Sequence, residues 1–209
     1  TEGTSAVFGS TIPSTVIARE VILADFNGDG RKDVYIADTG DDVAPHSGYP
    51  DSLYLSSGAT GFIEANANLS GPFAFTHSGA VGDIDGDGDL DIFACNQFGD
   101  GGVDPFFYIN DGTGDFTIAT NRLTGFQNTG STCALLDADD DGDLDLFVGW
   151  GGSGPQGLNV YTNNGAGSFS LIWDPLPLLP LVSEGSSDCL VIDFNNDGLD
   201  DLLVVSGIA

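Results

Sequence analysis

Most of the side chains in this sequence that could do chemistry stand in four nine-residue windows. They are residues 25–33 (DFNGDGRKD), 83–91 (DIDGDGDLD), 137–145 (DADDDGDLD) and 193–201 (DFNNDGLDD). Of the 32 acidic residues 18 lie here, as 3, 5, 6 and 4, whereas a merely solubilising surface would spread its charge. Oxygen-bearing side chains recur at positions 1, 3, 5 and 9. They are Asp25, Asn27, Asp29 and Asp33; Asp83, Asp85, Asp87 and Asp91; Asp137, Asp139, Asp141 and Asp145; and Asp193, Asn195, Asp197 and Asp201. Alternate spacing turns these side chains to the inside of a curling loop. That suits Ca²⁺, a hard cation that takes roughly 6–8 oxygens. Position 7 is Arg31, Asp89, Asp143 or Leu199. No single side-chain chemistry covers that set, so position 7 is expected to act through its main-chain carbonyl.

Position 6 is glycine throughout (Gly30, Gly88, Gly142, Gly198), as a sharp turn with positive φ requires. Position 4 is Gly28, Gly86, Asp140 or Asn196, the residue types that best tolerate a left-handed conformation. Aspartate and glycine are also ordinary turn residues, and one acidic turn would mean little. Four turns with one ligand pattern mean more. Carboxylates about 5 Å apart repel by roughly 1–3 kcal/mol per pair, so a compact loop of this composition needs a cation or raised carboxylate pKa values. The expectation is about four Ca²⁺ ions, one per window.

The windows start 58, 54 and 56 residues apart, and their flanks repeat too. An apolar stretch precedes each at 21–24, 79–82, 133–136 and 189–192, and another follows at 34–37, 92–95, 146–149 and 202–205. These runs are too short for helices and rich in β-branched or aromatic residues, so they predict buried strands. A third strand is marked by Tyr54, Tyr108 and Tyr161, and a fourth begins eight residues on at Phe62, Phe116 and Phe169. Each unit therefore has four short strands, in positions A to D, with the acidic loop joining A to B. Four antiparallel strands repeated at this period describe a β-propeller blade. The fold class is all-β, with blades over about 16–66, 74–120, 128–173 and a partial one over 186–209. About three and a half blades are present, as part of a larger propeller of about seven; 6–8 could be a strand left from a preceding blade.

Composition narrows the function classes. Thirty-one glycines against four Lys and Arg argue for tight turns rather than long helices. A net charge of −28 disfavours nucleic acid as a partner through long-range repulsion. No window approaches the ~18 apolar residues of a membrane-spanning helix, so no membrane insertion is expected. Thr1 opens the chain with no signal-like stretch, which suggests a processed or truncated start. Cys95, Cys133 and Cys189 offer neither a zinc motif nor a full disulfide framework. Cys133 and Cys189 both stand four residues before a loop, as small core residues or as a disulfide pair. His46 and His77 are the only histidines, and neither lies in a nucleophile or metalloprotease motif. No catalytic residue is assigned, and no enzyme activity is expected.

The loops resemble the start of an EF-hand, Asp-x-[Asp/Asn]-x-[Asp/Asn]-Gly, but position 12 is Ile36, Ala94, Val148 or Val204 rather than glutamate, and the flanks are strands. Together with the Asn-x-Gly-x-Gly-x-Phe element at 110–116, the pattern over roughly 16–209 resembles the FG-GAP/VCBS repeats of integrin-α-type propellers. The resemblance implies a propeller with Ca²⁺ between strands A and B, extracellular, secreted or at the cell surface. Binding or adhesion, scaffolding, lectin-like carbohydrate binding and service as a structural subunit all fit it. The B–C connections at 38–52, 96–105 and 150–158 are the expected surface for a protein or glycan ligand. There Tyr49 and Trp150 could stack on a sugar, or Trp150 could cap a strand. The apolar, proline-rich stretch 174–181 is a packed connection or a partner groove. Incomplete propeller edges also leave strands open to self-association.

Overall fold

The computed structural model describes residues 15–41, 43, 46–58, 61–97, 103–126, 130–150, 158–173 and 186–206. Within them the regular structure is almost all strand. The first sheet is β1 (Ala18–Ala24), β2 (Asp33–Asp38), β3 (Ser52–Ser57) and β4 (Gly61–Glu64), paired antiparallel in chain order. A one-turn helix, α1 (Asn66–Leu69), then leads to the second sheet. That sheet is β5 (Thr76–Gly82), β6 (Asp91–Asn96), β7 (Phe106–Asn110) and β8 (Phe116–Ala119). A third is built on β10 (Gly130–Leu136), β11 (Asp145–Trp150), β12 (Asn159–Asn163) and β13 (Phe169–Trp173). The chain then adds the ribbon β14 (Ser186–Ile192) and β15 (Asp201–Ser206).

All predicted A-to-D strands are present, with two additions. The connection out of the second sheet contributes β9 (Leu123–Thr124), which pairs parallel to β13 and makes the third sheet five-stranded rather than four. Helix α1 follows β4 where only a connection was expected; its Leu69 is buried. The possible strand at 6–8 and the proline-rich stretch 174–181 lie outside the described residues.

Each A–B pair has one register: Ala24 faces Asp33, Gly82 faces Asp91, Leu136 faces Asp145 and Ile192 faces Asp201. Each A strand carries a bulge at the same place, at Arg19, His77, Ser131 and Ser187. The A strands pack in sequence, β1 against β5, β5 against β10 and β10 against β14. Among the described residues the series is open, with β1 and β14 at its ends.

The core lies between successive sheets. Between the first and second, Phe26 meets Phe116 edge-on at 5.8 Å and Tyr35 meets Tyr108 at 6.4 Å. Between the second and third, Phe107 stacks on Phe169 at 5.0 Å. Burying side chains of this size stabilises by roughly 1.5–3 kcal/mol each. Strands β2 and β6 are buried on both faces, which is why they read as unbroken apolar runs. Cys95, Cys133 and Cys189 are free thiols. Cys133 is buried beside Ser78, and Cys189 receives the Thr132 hydroxyl at 3.2 Å. Cys95 and Cys133 are core residues and Cys189 is half-buried against the third sheet, and the disulfide alternative falls.

One acid is buried in the first junction. Asp51 accepts the hydroxyls of Tyr35 at 2.9 Å and Tyr108 at 3.3 Å, and the Asp38 N–H at 3.1 Å. Burial outweighs these donors and pushes its carboxyl up to about 6. Between about pH 4 and 6 the folded state then holds a proton that the unfolded chain has released. The Asp51 contribution to stability falls as pH rises through that window and is flat above it. We expect wild type to lose up to roughly 3 kcal/mol relative to Asp51→Asn across it. Denaturant melts of the two proteins from pH 4 to pH 7 would read the difference, and parallel curves would refute it.

Candidate metal centre

The loops are organised by their first carboxylate. One oxygen of Asp25 accepts the Asp29 N–H at 3.1 Å, and the other accepts the Gly30 N–H at 2.7 Å. Asp83 does the same with Asp87 and Gly88, Asp137 with Asp141 and Gly142, and Asp193 with Asp197 and Gly198, all at 3.0–3.1 Å. The chain must double back for both N–H groups to reach one carboxylate. It does so through positive φ at position 6 (83° to 95°) and at position 4 (60° to 75°). Asp140 and Asn196 take that conformation without being glycine, as their type allows. Position 5 has a local task as well: Asp29, Asp87, Asp141 and Asp197 each accept the N–H of position 7 at 2.9–3.0 Å.

Position 9 opens the B strand, and in the first three loops it is buried. One Asp33 oxygen accepts the Phe26 N–H at 2.9 Å, and the other accepts the N–H of Ser56 in β3 at 2.7 Å. Asp91 joins Ile84 to Asn110 (3.3 and 2.8 Å), and Asp145 joins Ala138 to Asn163 (3.0 and 2.8 Å). Asp201 keeps only the loop half, the Phe194 N–H at 3.0 Å, since no C strand follows β15 among the described residues. Position 9 was expected only as a ligand. The structure makes it also the clamp that holds loop and C strand together.

Positions 1, 3 and 9 converge. Carboxylate oxygens of Asp83, Asp85 and Asp91 all lie within 4.8 Å of one another, and so do those of Asp137, Asp139 and Asp145. Asp87 and Asp141 stand outside these clusters. One oxygen of Asp85 is buried with no hydrogen-bond partner. A buried acceptor left bare is costly, and here it stands among carboxylates, so an all-oxygen donor set for a hard cation fits. The acid–base behaviour agrees. Burial, then the neighbouring Asp85 and Asp87 charges, push Asp91 up to about 6, and Asp145 and Asp139 are raised for similar reasons. In the first and fourth loops position 3 is Asn27 or Asn195, so the carboxylate count is lower. In the first, Arg31 also pairs with Asp29 at 2.6 Å, taking a cation into the loop from the protein itself.

The clusters are reinforced from the next sheet, by residues whose role the repeat pattern did not disclose. Asn110 donates to the Phe26 carbonyl at 2.8 Å, and Asn163 to the Ile84 carbonyl at 2.7 Å. Each thus fastens the preceding loop at position 2. Arg122 reaches Asp85 at 3.2 Å while donating to the Ala166 and Gly167 carbonyls. The asparagines were visible in the Asn-x-Gly-x-Gly element; Arg122 carries no local signal.

The B–C connections are partly described. Tyr49 meets Phe73 edge-on at 6.3 Å. The two line a cleft of about 420 Å³ with Asp51, Tyr54, Glu64 and Asn66. His46 and His77 both lie against Phe75, with ring centres at 6.1 and 5.3 Å. Residues 98–102 and 151–157 and the Trp150 side chain lie outside the described residues.

The FG-GAP-like repeat family matches this chain over residues 25–94 and 137–204. No curated protein matches. Among solved structures, the V. cholerae biofilm matrix protein Bap1 is similar at 20% identity with a TM-score of 0.49, over 95% of this chain and 30% of that one. The present chain therefore spans less than a third of that protein's length.

Asp91→Ala removes a ligand candidate and strands two backbone N–H groups, those of Ile84 and Asn110. It should cost roughly 2–6 kcal/mol, at about 1–3 kcal/mol for each buried donor left unpaired, and added cation should not restore it. Asp87→Ala, at an exposed position, should cost far less. Chemical denaturation of both variants with and without cation checks the contrast.

Proposed function

The chain belongs to the FG-GAP-like repeat family, and from that premise we propose that it is an extracellular, calcium-stabilised β-propeller segment acting as a binding, adhesion or scaffolding module. The observation that carries this reading is the bare, buried Asp85 oxygen among the convergent carboxylates of Asp83 and Asp91. In it, Ca²⁺ is held by positions 1, 3, 5 and 9 and the carbonyl of position 7 in each of about four loops. The successive packing of the sheets supports blades of a propeller, about three and a half out of about seven. The carboxylates serve as ligands rather than as acid–base pairs, and the segment carries no catalysis.

Location follows from affinity. Calcium sites of extracellular modules bind at roughly 10⁻⁴–10⁻³ M, too weakly to fill inside a cell. At tenfold excess over Kd each such site contributes about 1.4 kcal/mol. Excess chelator should therefore lower the melting temperature, and millimolar Ca²⁺ should restore it where equal Mg²⁺ does not. Unchanged melting in chelator would sink the calcium reading.

Carbohydrate recognition is a second reading, favoured by the cleft between Tyr49 and Phe73. Phe73 is 70% exposed, and Glu64 and Asn66 stand beside it as hydrogen-bonding groups. Aromatic faces next to acids and amides suit a sugar ring. Glycan-array binding that Phe73→Ala abolishes would favour it over a protein ligand; an array with no signal would remove it.

A further inference from the structure

One side chain that touches the second loop comes from outside both its sheet and the repeat. Arg122 stands in the connection between the second and third sheets, one residue before β9. Its Nη1 donates to the Ala166 carbonyl at 2.9 Å and to the Gly167 carbonyl at 3.2 Å, in the turn between β12 and β13. Its own carbonyl accepts the Phe169 N–H at 2.7 Å, where β13 begins. With the guanidinium fixed on that turn, Nη2 meets one oxygen of Asp85 at 3.2 Å. Both side chains are partly shielded, at 23% and 18% exposure, so water screens the pair less than it would a surface one. The other Asp85 oxygen is the buried acceptor left bare. Gly167 makes the room: a Cβ there would run into the Arg122 guanidinium and lie 3.2 Å from the Asp85 Cβ.

The first junction has the same arrangement in neutral form. Asn68, in the connection between the first and second sheets, donates to the Gly114 carbonyl at 2.8 Å. Gly114 and Gly167 hold the same place in their turns, with N–H groups on the side-chain oxygens of Asn110 and Asn163 at 3.2 and 3.0 Å. The loop residue beside Gly114 is Asn27, whose Cβ would lie 3.5 Å from a Cβ on that glycine. Position 3 is thus neutral where the connection supplies an amide, and charged where it supplies a guanidinium.

We propose that Arg122 is a positioning residue of the second loop: it holds one oxygen of Asp85 from the third sheet's turn and so leaves the other to the cluster with Asp83 and Asp91. The inference rests on the calcium reading above and adds to it a residue outside the loop. Because Arg122 is anchored on the third sheet, docking of that sheet completes the site in the second. A purely electrostatic role has the opposite sign. A guanidinium beside the loop repels a cation, and removing it would then tighten binding. Positioning is the larger effect here, since the guanidinium spends its donors on two carbonyls and one carboxylate oxygen, and a partner that orients a ligand is worth roughly 10–100-fold in metal affinity.

Calcium titration of the isotope-labelled full chain, read by NMR at the position 6 amides, tests this loop by loop. The N–H groups of Gly30, Gly88 and Gly142 each rest on the first carboxylate of their own loop, so each signal reports its own site. Calcium-saturated protein is taken down through buffered free Ca²⁺. In Arg122→Gln the Gly88 midpoint should move to roughly 10–100-fold higher free Ca²⁺, while Gly30 and Gly142 keep theirs. Arg122→Lys keeps the charge but lacks the planar fork that spans two carbonyls and a carboxylate. It should shift Gly88 in the same direction, and it carries the test alone should Arg122→Gln prove unstable. A Gly88 midpoint that stays or falls would overturn the proposal and leave the calcium reading standing. Equal shifts at all three glycines, or wild-type midpoints in Arg122→Lys, would do the same. No response to calcium at any of these amides would overturn both.

Discussion

The carboxylate at the start of each B strand is the constraint on which the rest depends. In the first three sheets it is shut away from water, with one oxygen on the second N–H of the loop and the other on an N–H of the C strand. Two strands and a loop are thereby fixed relative to one another by one side chain. Charge-assisted bonds of this kind are the stronger class of hydrogen bond, and asparagine could not accept both. Burial leaves a charge that no base within the clamp itself neutralises, and the loop surrounds it with further carboxylates. The loop brings positions 1 and 3 against position 9, where a cation can compensate all three. Stability and cation binding by these clusters would then be two aspects of one arrangement, as expected where ligands assemble only on folding.

Repulsion within the loops is answered twice. Backbone N–H groups of positions 5 and 6 point at the first carboxylate, and the N–H of position 7 points at the fifth. These donors stabilise the charged forms without supplying a net charge. What remains appears as raised carboxyls: Asp91, pushed up to about 6 by burial and its neighbours, and Asp145 and Asp139, shifted in the same direction. The first loop has fewer carboxylates and adds Arg31. It therefore carries less uncompensated charge than the third, which has six acids and no arginine paired to it among the described residues.

Much of this was legible in the sequence because repetition multiplies weak local signals. The sites of positive φ followed from glycine at position 6 and Gly, Asp or Asn at position 4, and the structure places all eight there. The strands followed from apolar runs of fixed spacing. What could not be read was long-range. Strand β9 is two residues long and exists only because β13 offers an edge. Asp51 lies in a connection like any other acid, and only the fold brings Tyr35 and Tyr108 over it. Arg122 looks like one more surface cation until the third sheet's turn is placed beside Asp85. The clamp at position 9 was hidden for another reason. Its ligand spacing gave a sufficient account of the residue, so nothing in the pattern asked for a second role.

The loops are not equivalent, although their sequences nearly are. The first two are each fastened by an asparagine of the following sheet, and the second is further held by Arg122. The third is followed only by a ribbon, and the fourth has neither a C strand beside Asp201 nor a following sheet among the described residues. A loop held in place before a cation arrives loses less freedom on binding, and the saving appears as affinity. The same contacts that close the apolar junctions therefore grade the loops along the chain. A cation in the first or second loop would be coupled to sheet stacking through the loop's second residue, Phe26 or Ile84, which is buried in the junction and donates its N–H to the position 9 carboxylate.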